Sequence, residues 1–285
     1  SSAFNFYLLS KYTSQHVKVA LSGDGADELF KGYNKHRALL VSGHRNSKLI
    51  SAMMSALFSG TRSSRDSYIF NKIRQLKKFS DLAKLPEIEK HKFLASISSH
   101  AECAMLLHSG ATSFYFDSLF KTSESLKNFE LGDTFDIQTV LADDMLVKAD
   151  RFSMQNGLEI RNPFLDYRIV ELALNTTRKQ KISYSEQKII LKENFAQLLP
   201  KEIVSRSKKG FELPLRKWLN GPLRQRVENE WLNATKTEEA GIFNHQRIRE
   251  LLVKMDSADP GDSAAQVWAL VVFENWRHNF KEYIL

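Results

Sequence analysis

Cysteine is almost absent from these 285 residues: Cys103, in the mostly apolar stretch AECAMLLH, is the single one. One thiol excludes a disulfide framework and a thiolate metal cage, and it points to a reducing compartment. Histidine does not supply a metal site either, because the eight histidines form no HxxxH or HxH pair. No run approaches the roughly 18 apolar residues needed to span a bilayer. The first residues, SSAFNFYLLSKYTSQH, lack a basic segment followed by a small-residue cleavage site. The chain therefore reads as cytoplasmic, neither exported nor membrane-embedded. Glycine and proline are sparse, 12 and 6, and neither a repeat nor a low-complexity tract appears. Negative charge is outweighed: 41 Lys and Arg against 33 Asp and Glu leave a formal +8, which favours polyanionic partners such as nucleotides, pyrophosphate or nucleic acid.

What is present is mostly helical in period. Apolar residues recur at three- and four-residue spacings over 2–15, 27–42, 48–59, 87–108, 136–157, 167–174, 186–198, 222–232, 244–255 and 263–282. The expected fold class is mainly α. One segment departs from it: Val17–Leu21, VKVAL, is a β-branched run that stops at Ser22-Gly23-Asp24-Gly25, the pattern of a buried strand ending in a tight turn. A single strand needs neighbours for its backbone groups, so its pairing is expected to be incomplete.

The turn after that strand is the most informative stretch. In VKVALSGDGADELFKGY, residues 17–33, two glycines let the backbone approach a ligand, and a helix starting near Asp24 would turn its positive end to the same spot. Asp24, Asp27 and Glu28 would repel a naked phosphate. The two features agree if the anion arrives with Mg²⁺, which takes one or two protein carboxylates plus phosphate oxygens and water. The plainer alternative is a capping box, Asp24 followed three residues later by Asp27.

SGDGADELFKGY resembles the signature SG-acid-G-(Ser/Ala)-DE-(Leu/Val)-F-G-GY of asparagine synthetases and relatives such as β-lactam synthetases, with Lys31 where the family usually has Gly. DDMLVKADRFSMQNGLEIRNPFLDYRIVELA, 143–173, is similar to the second block with its E-x-R-x-PFLD segment. LPKEIVSRSKKGFELPLRKWLNGPLR, 199–224, follows as the third, and GIFNHQRIRELL with VWALVVFENW, 241–276, as the fourth. Four blocks in order cover nearly the whole sequence.

The resemblance implies residues 1–285 to be the helical C-terminal part of an α/β synthetase domain of the ATP-pyrophosphatase (HUP) type. In that family a glutaminase domain with an N-terminal cysteine comes first, and an SGG-x-DS loop holds the ATP phosphates; neither occurs here. The implied reaction activates a carboxylate, aspartate in the parent enzymes, as an acyl-adenylate with loss of pyrophosphate. Ammonia derived from glutamine then displaces AMP. By matched position, Asp27 would ligate Mg²⁺, Ser22 and Gly23 would contact the nucleotide, and Asp24 takes the acidic position associated with the amine or intermediate, where many family members have Glu. Lys208, in Arg206-Ser207-Lys208-Lys209-Gly210-Phe211, matches the lysine that stabilises charge in adenylation; Lys209 is the neighbour a one-residue slip would select. Lys148 and Asp150 complete the implied nucleotide and substrate contacts, against the plainer reading of a buried ion pair between Asp150 and Arg161. Pro163-Phe164-Leu165-Asp166 reads as a turn with an aromatic plug and a helix N-cap.

Implied partners are ATP, Mg²⁺, the small substrates and the glutaminase and ATP-binding portions of an intact protein, with a homodimer compatible. The rival reading is a basic helical module that binds nucleic acid or serves as a scaffold. A carboxylate at Asp27 facing a cleft disfavours it. Because no residue set here replaces the phosphate loop, the 285-residue chain alone is expected to release no pyrophosphate from ATP with aspartate and ammonia; robust Mg²⁺-dependent release in a phosphate-detection assay would refute this.

Overall fold

The computed structural model describes residues 2–44, 46–58, 60–64, 67–108, 128–206, 210 and 213–280. These divide into two compact units: residues 1–47, 86–94 and 119–213, and residues 48–85, 95–118 and 214–285. Helix dominates both, as the periodicity predicts.

The first unit holds the sheet, β1 (Val19–Leu21) paired in parallel with β2 (Glu159–Arg161) in the register Val19 to Glu159, Ala20 to Ile160 and Leu21 to Arg161. Two further backbone bonds extend the ladder, Glu159 N–H donating to Lys18 O and Ser22 N–H to Arg161 O, both at 2.9 Å. The strand expected at 17–21 is thus real but shorter, and it has a partner that periodicity does not mark. It is also not buried: Val19 is 41% and Leu21 74% exposed. A two-stranded ribbon has too little surface to cover either of its own faces.

The helix expected over 27–42 is interrupted. Ala26–Leu29 is a single four-residue turn, and the next helix starts at Asn34 and ends at Ser42. Between them Lys31 adopts φ +58°, a left-handed conformation that ends α-helical propagation in L-residues. This weakens the helix-dipole part of the anion cradle, since one turn aligns few peptide units. The short turn is instead anchored by packing. Leu29 and Phe30 are buried with Ala173, against Phe164, Leu165, Ile169, Val170, Ile190 and Leu191, and the Phe30 and Phe164 rings meet edge-on at 6.3 Å. Phe164 is therefore the aromatic plug that its sequence suggests. Asp166 caps the Tyr167–Asn175 helix, its Oδ1 accepting from Arg168 N–H at 3.0 Å.

Residues 136–157, expected as one helix, contain eleven residues of π-helix, Asp136–Leu146, running into the α-helix Val147–Met154. Wide π turns displace side chains from α-helical register and recur at functional sites.

In the second unit, Leu219, Val227, Ile248, Met255, Val267 and Leu270 form the core, contributed largely by the helices His245–Asp256 and Ser263–Asn279. Arg216 ties this unit internally, donating from Nε to Met255 O at 2.8 Å and from a terminal nitrogen to Ser257 O at 2.9 Å. A helix that the periodicity does not mark, Tyr68–Lys84, is held to the start of the last helix by Arg74 on Asp262 at 3.2 Å.

Gly25 tests the junction between the glycine turn and the PFLD segment. Its φ is +90°, and a Cβ there would run into Leu165. Gly25→Ala should cost about 2 kcal/mol of stability in urea denaturation from the left-handed strain alone, and Leu165→Ala in that background should relieve the overlap but not the strain.

Candidate functional site

The glycine turn leaves β1 at Leu21 and places three acids within five residues, and each acquires a different partner. Ser22 Oγ donates to Asp24 Oδ2 at 2.8 Å, and Asp24 N–H points back at Ser22 Oγ at 3.3 Å. This closes a local turn and replaces the capping box, for the N-cap of the following turn is Gly25, with no side-chain cap. Asp27, partly buried, faces the Lys188 ammonium at 2.7 Å from Oδ1. Glu28, buried, accepts from the Tyr33 hydroxyl at 2.5 Å. Burial raises the Glu28 carboxyl above its ordinary range against the lowering effect of that hydrogen bond, with Asp27 and Asp136 adding repulsion. Burial and the Glu28 partner likewise push the Tyr33 hydroxyl up.

Lys188 is not a casual surface lysine. It caps the helix Ile189–Phe195 with φ +55°. The preceding Gln187 donates from Nε2 to Tyr33 O at 2.6 Å and to Lys31 O at 3.3 Å, so the segment is clamped to the backbone just beyond Asp27. Gly32 completes the fit: a Cβ at that position would collide with both Asp27 Oδ1 and the Lys188 stem.

Behind this pair lies a buried charge cluster. Lys31 pairs with Asp133 and lies 3.5 Å from Asp136; Lys181 meets Asp133 at 3.0 Å, Lys35 meets Asp136 at 2.5 Å, and His36 Nε2 meets Asp136 at 2.6 Å. Tyr33 N–H donates to His36 Nδ1 at 3.2 Å. With Nδ1 accepting, Nε2 donates, which is the neutral imidazole; burial lowers the His36 pKa in keeping with that tautomer. Burial alone would raise Asp136, but the His36 hydrogen bond and the Lys35 and Lys31 charges hold its carboxyl far below the usual range.

Sequence comparison supplies the context. The family model described as asparagine synthase matches residues 1–278. The chain belongs to the asparagine synthase family. It is 30% identical to an asparagine synthetase (glutamine-hydrolysing) of Bacillus subtilis over 96% of its own length and 42% of the relative's. It is 27% identical to a putative asparagine synthetase of Mycobacterium tuberculosis over 97% and 42%, and 25% identical to the amidase chry2 of Gibberella zeae over 84% and 38%. The chain thus spans about four-tenths of the length of these curated relatives.

Among the residues singled out by the family resemblance, the structure brings Ser22, Gly23, Asp24 and Asp27 onto one turn, tied to the second block through the Ser22 to Arg161 backbone bond. It separates the others. Lys148 is buried, and its ammonium reaches Ser2 Oγ at 3.0 Å and Met145 Sδ at 3.1 Å; Met145 and Lys148 share a face, as their spacing predicts. Asp150 is exposed and borders a small hollow of about 200 Å³ with Ser153, Met154, Glu159 and Asn162. The alternative ion pair of Asp150 with Arg161 is not formed: Arg161 is exposed and donates to Glu159 at 2.7 Å, its neighbour two residues back along the strand. Lys208 and Lys209 lie outside the described residues. Lys188, the cation that meets Asp27 among the described residues, carries no sequence signal, since a lysine ahead of an apolar helix is ordinary. The departure at Lys31 has a physical gloss: its left-handed φ is one that glycine adopts without strain.

His91 reports on the same region. It packs on the Phe135 ring at 6.1 Å and against Gly132, and burial lowers its pKa from 6.5 to about 4. Across that interval the unfolded chain binds a proton that the folded chain refuses, so stability falls as pH drops through the window. His91→Gln should flatten urea-denaturation stability against pH there by roughly one proton, ~1.4 kcal/mol per pH unit; an unchanged slope would place His91 in water.

Proposed function

We propose that this chain is the C-terminal part of the synthetase domain of an asparagine synthetase-like ligase. The observation that carries the reading is that family membership over 1–278 coincides with a glycine turn bearing Asp24 and Asp27. The intact protein would activate a carboxylate, aspartate in the first instance, as an acyl-adenylate with release of pyrophosphate, and would join it to ammonia released from glutamine. The glutaminase and ATP-binding portions are its partners in this reading, and the completed domain is the α/β nucleotide-binding fold of the HUP type, in the cytoplasm.

Roles follow from charge. Asp27 is the Mg²⁺ ligand: its carboxylate already attracts a cation, the Lys188 ammonium, and a single carboxylate plus phosphate oxygens is a normal Mg²⁺ shell. Bound Mg²⁺ supplies neutralisation of the polyphosphate charge. The backbone at Ser22 and Gly23 lies against the nucleotide, and Gly23 offers open space, a Cβ there meeting nothing within 4 Å. Asp24 faces the amine or intermediate, released from Ser22 by a hydroxyl rotation. Lys208 stabilises the charge that develops at the reacting phosphorus and carbonyl. Lys148 and Asp150 act on nucleotide and substrate from the second block, Lys148 by fixing the Val147–Met154 helix and Asp150 from the exposed hollow.

In the intact protein, Asp27→Asn should abolish adenylation, measured as pyrophosphate exchange into ATP. Lys208→Ala should lower kcat by roughly 10²- to 10³-fold while leaving the KM for ATP within a few-fold, because its charge acts mainly on the transition state. A Lys208→Ala protein with normal turnover would refute the assignment.

A further inference from the structure

We propose that Lys188 is an exchangeable counter-ion that keeps Asp27 closed to a free divalent cation and opens it to a cation arriving with a polyphosphate. This rests on the reading of Asp27 as the Mg²⁺ ligand. The ammonium sits 2.7 Å from Asp27 Oδ1, with the lysine and aspartate side chains 28% and 15% exposed. A lysine pair in contact with solvent is ordinarily weak and mobile. Here the lysine is held. Its backbone is left-handed, Gln187 bonds the carbonyls of Lys31 and Tyr33, and the missing Cβ of Gly32 leaves the space through which the stem reaches Asp27. The neighbouring acids do not compete for it, since Asp24 is engaged by Ser22 and Glu28 by Tyr33.

A bare divalent ion at Asp27 has to expel this ammonium and then stand beside it, two cations on one carboxylate. A metal-bound polyphosphate brings negative charge that offsets both. The turn therefore discriminates between free metal and metal-loaded anion, without any change in the carboxylate itself.

The experiment titrates the 285-residue chain with Mn²⁺ alone and with Mn²⁺ plus inorganic pyrophosphate, following the paramagnetic resonance of unbound Mn²⁺. Lys188→Met should bind Mn²⁺ alone roughly three- to tenfold more tightly than the parent, the release expected from removing one partly shielded cation, and the further gain from pyrophosphate should shrink. Lys188→Arg should behave as the parent. Lys188→Gln repeats the test should the methionine mispack. Adding Asp27→Asn to Lys188→Met should return Mn²⁺ affinity to the parent level. Lys188→Met and Lys188→Gln that bind Mn²⁺ no better than the parent, including no binding by any of them, would overturn the exchange. In that event, loss of Mn²⁺-pyrophosphate binding in Asp27→Asn would leave the metal assignment standing. A gain that survives Asp27→Asn would sink the metal assignment as well, because the ion would then be held elsewhere.

Discussion

Lys31 buries an ammonium where the backbone can least easily place one, and much of the first unit is arranged around that. Its side chain is 4% exposed, in a left-handed conformation, and paired with Asp133, itself nearly buried. Taking two such ions out of water costs several kcal/mol each, which one contact does not offset. The structure meets the cost by sharing: Asp133 also takes Lys181, and Asp136, close to Lys31, takes Lys35 and a neutral His36. Removing any one member leaves the others uncompensated, the arrangement in which breaking a buried pair is most damaging. Because Asp133 and Asp136 straddle the start of the π-helix, the cluster also fixes the register of that helix against the turn carrying Asp24 and Asp27.

This arrangement explains both what could be read from sequence and what could not. The helices at 244–255 and 263–282 are amphipathic by themselves and appear nearly where periodicity places them. The strand after residue 17, the PFLD plug and the Asp166 cap follow from local chemistry, β-branching in the first case and fixed turn residues in the others. The break at residues 30–33 does not, because lysine has no intrinsic preference for positive φ; the distant Asp133 and Asp136 hold its ammonium and Gln187 holds its carbonyl. Exposure of Val19 and Leu21 was equally illegible, since a β-branched run announces a strand but not how many neighbours cover it.

Site residues divide along the same line. The turn 22–27 is contiguous, so sequence order alone puts Ser22, Gly23, Asp24 and Asp27 together. Lys188 is 161 positions from Asp27, and its contact depends on the Gln187 clamp and on the missing side chain at Gly32. Neither Gln187 nor Lys188 belongs to a pattern that singles it out. Tertiary pairs of this kind become visible only when the backbone is closed around them.

The three acids of the turn show how one short segment can hold different electrostatic roles. Asp24, Asp27 and Glu28 would repel one another if left alike, and a compact turn cannot separate them by distance. They are separated by partner instead: a hydroxyl for Asp24, an ammonium for Asp27 and a buried phenol for Glu28. Burial raises the Glu28 carboxyl above its ordinary range, and its hydrogen bond from the Tyr33 hydroxyl makes it a structural brace for that ring. Asp27 keeps a cationic neighbour, and so remains the acid best suited to exchange one positive partner for another. Asp24, held among the described residues by a neighbouring serine, can turn toward an uncharged or positive group by breaking a hydroxyl hydrogen bond. The three acids are alike in sequence and differ through the groups that the fold sets against them.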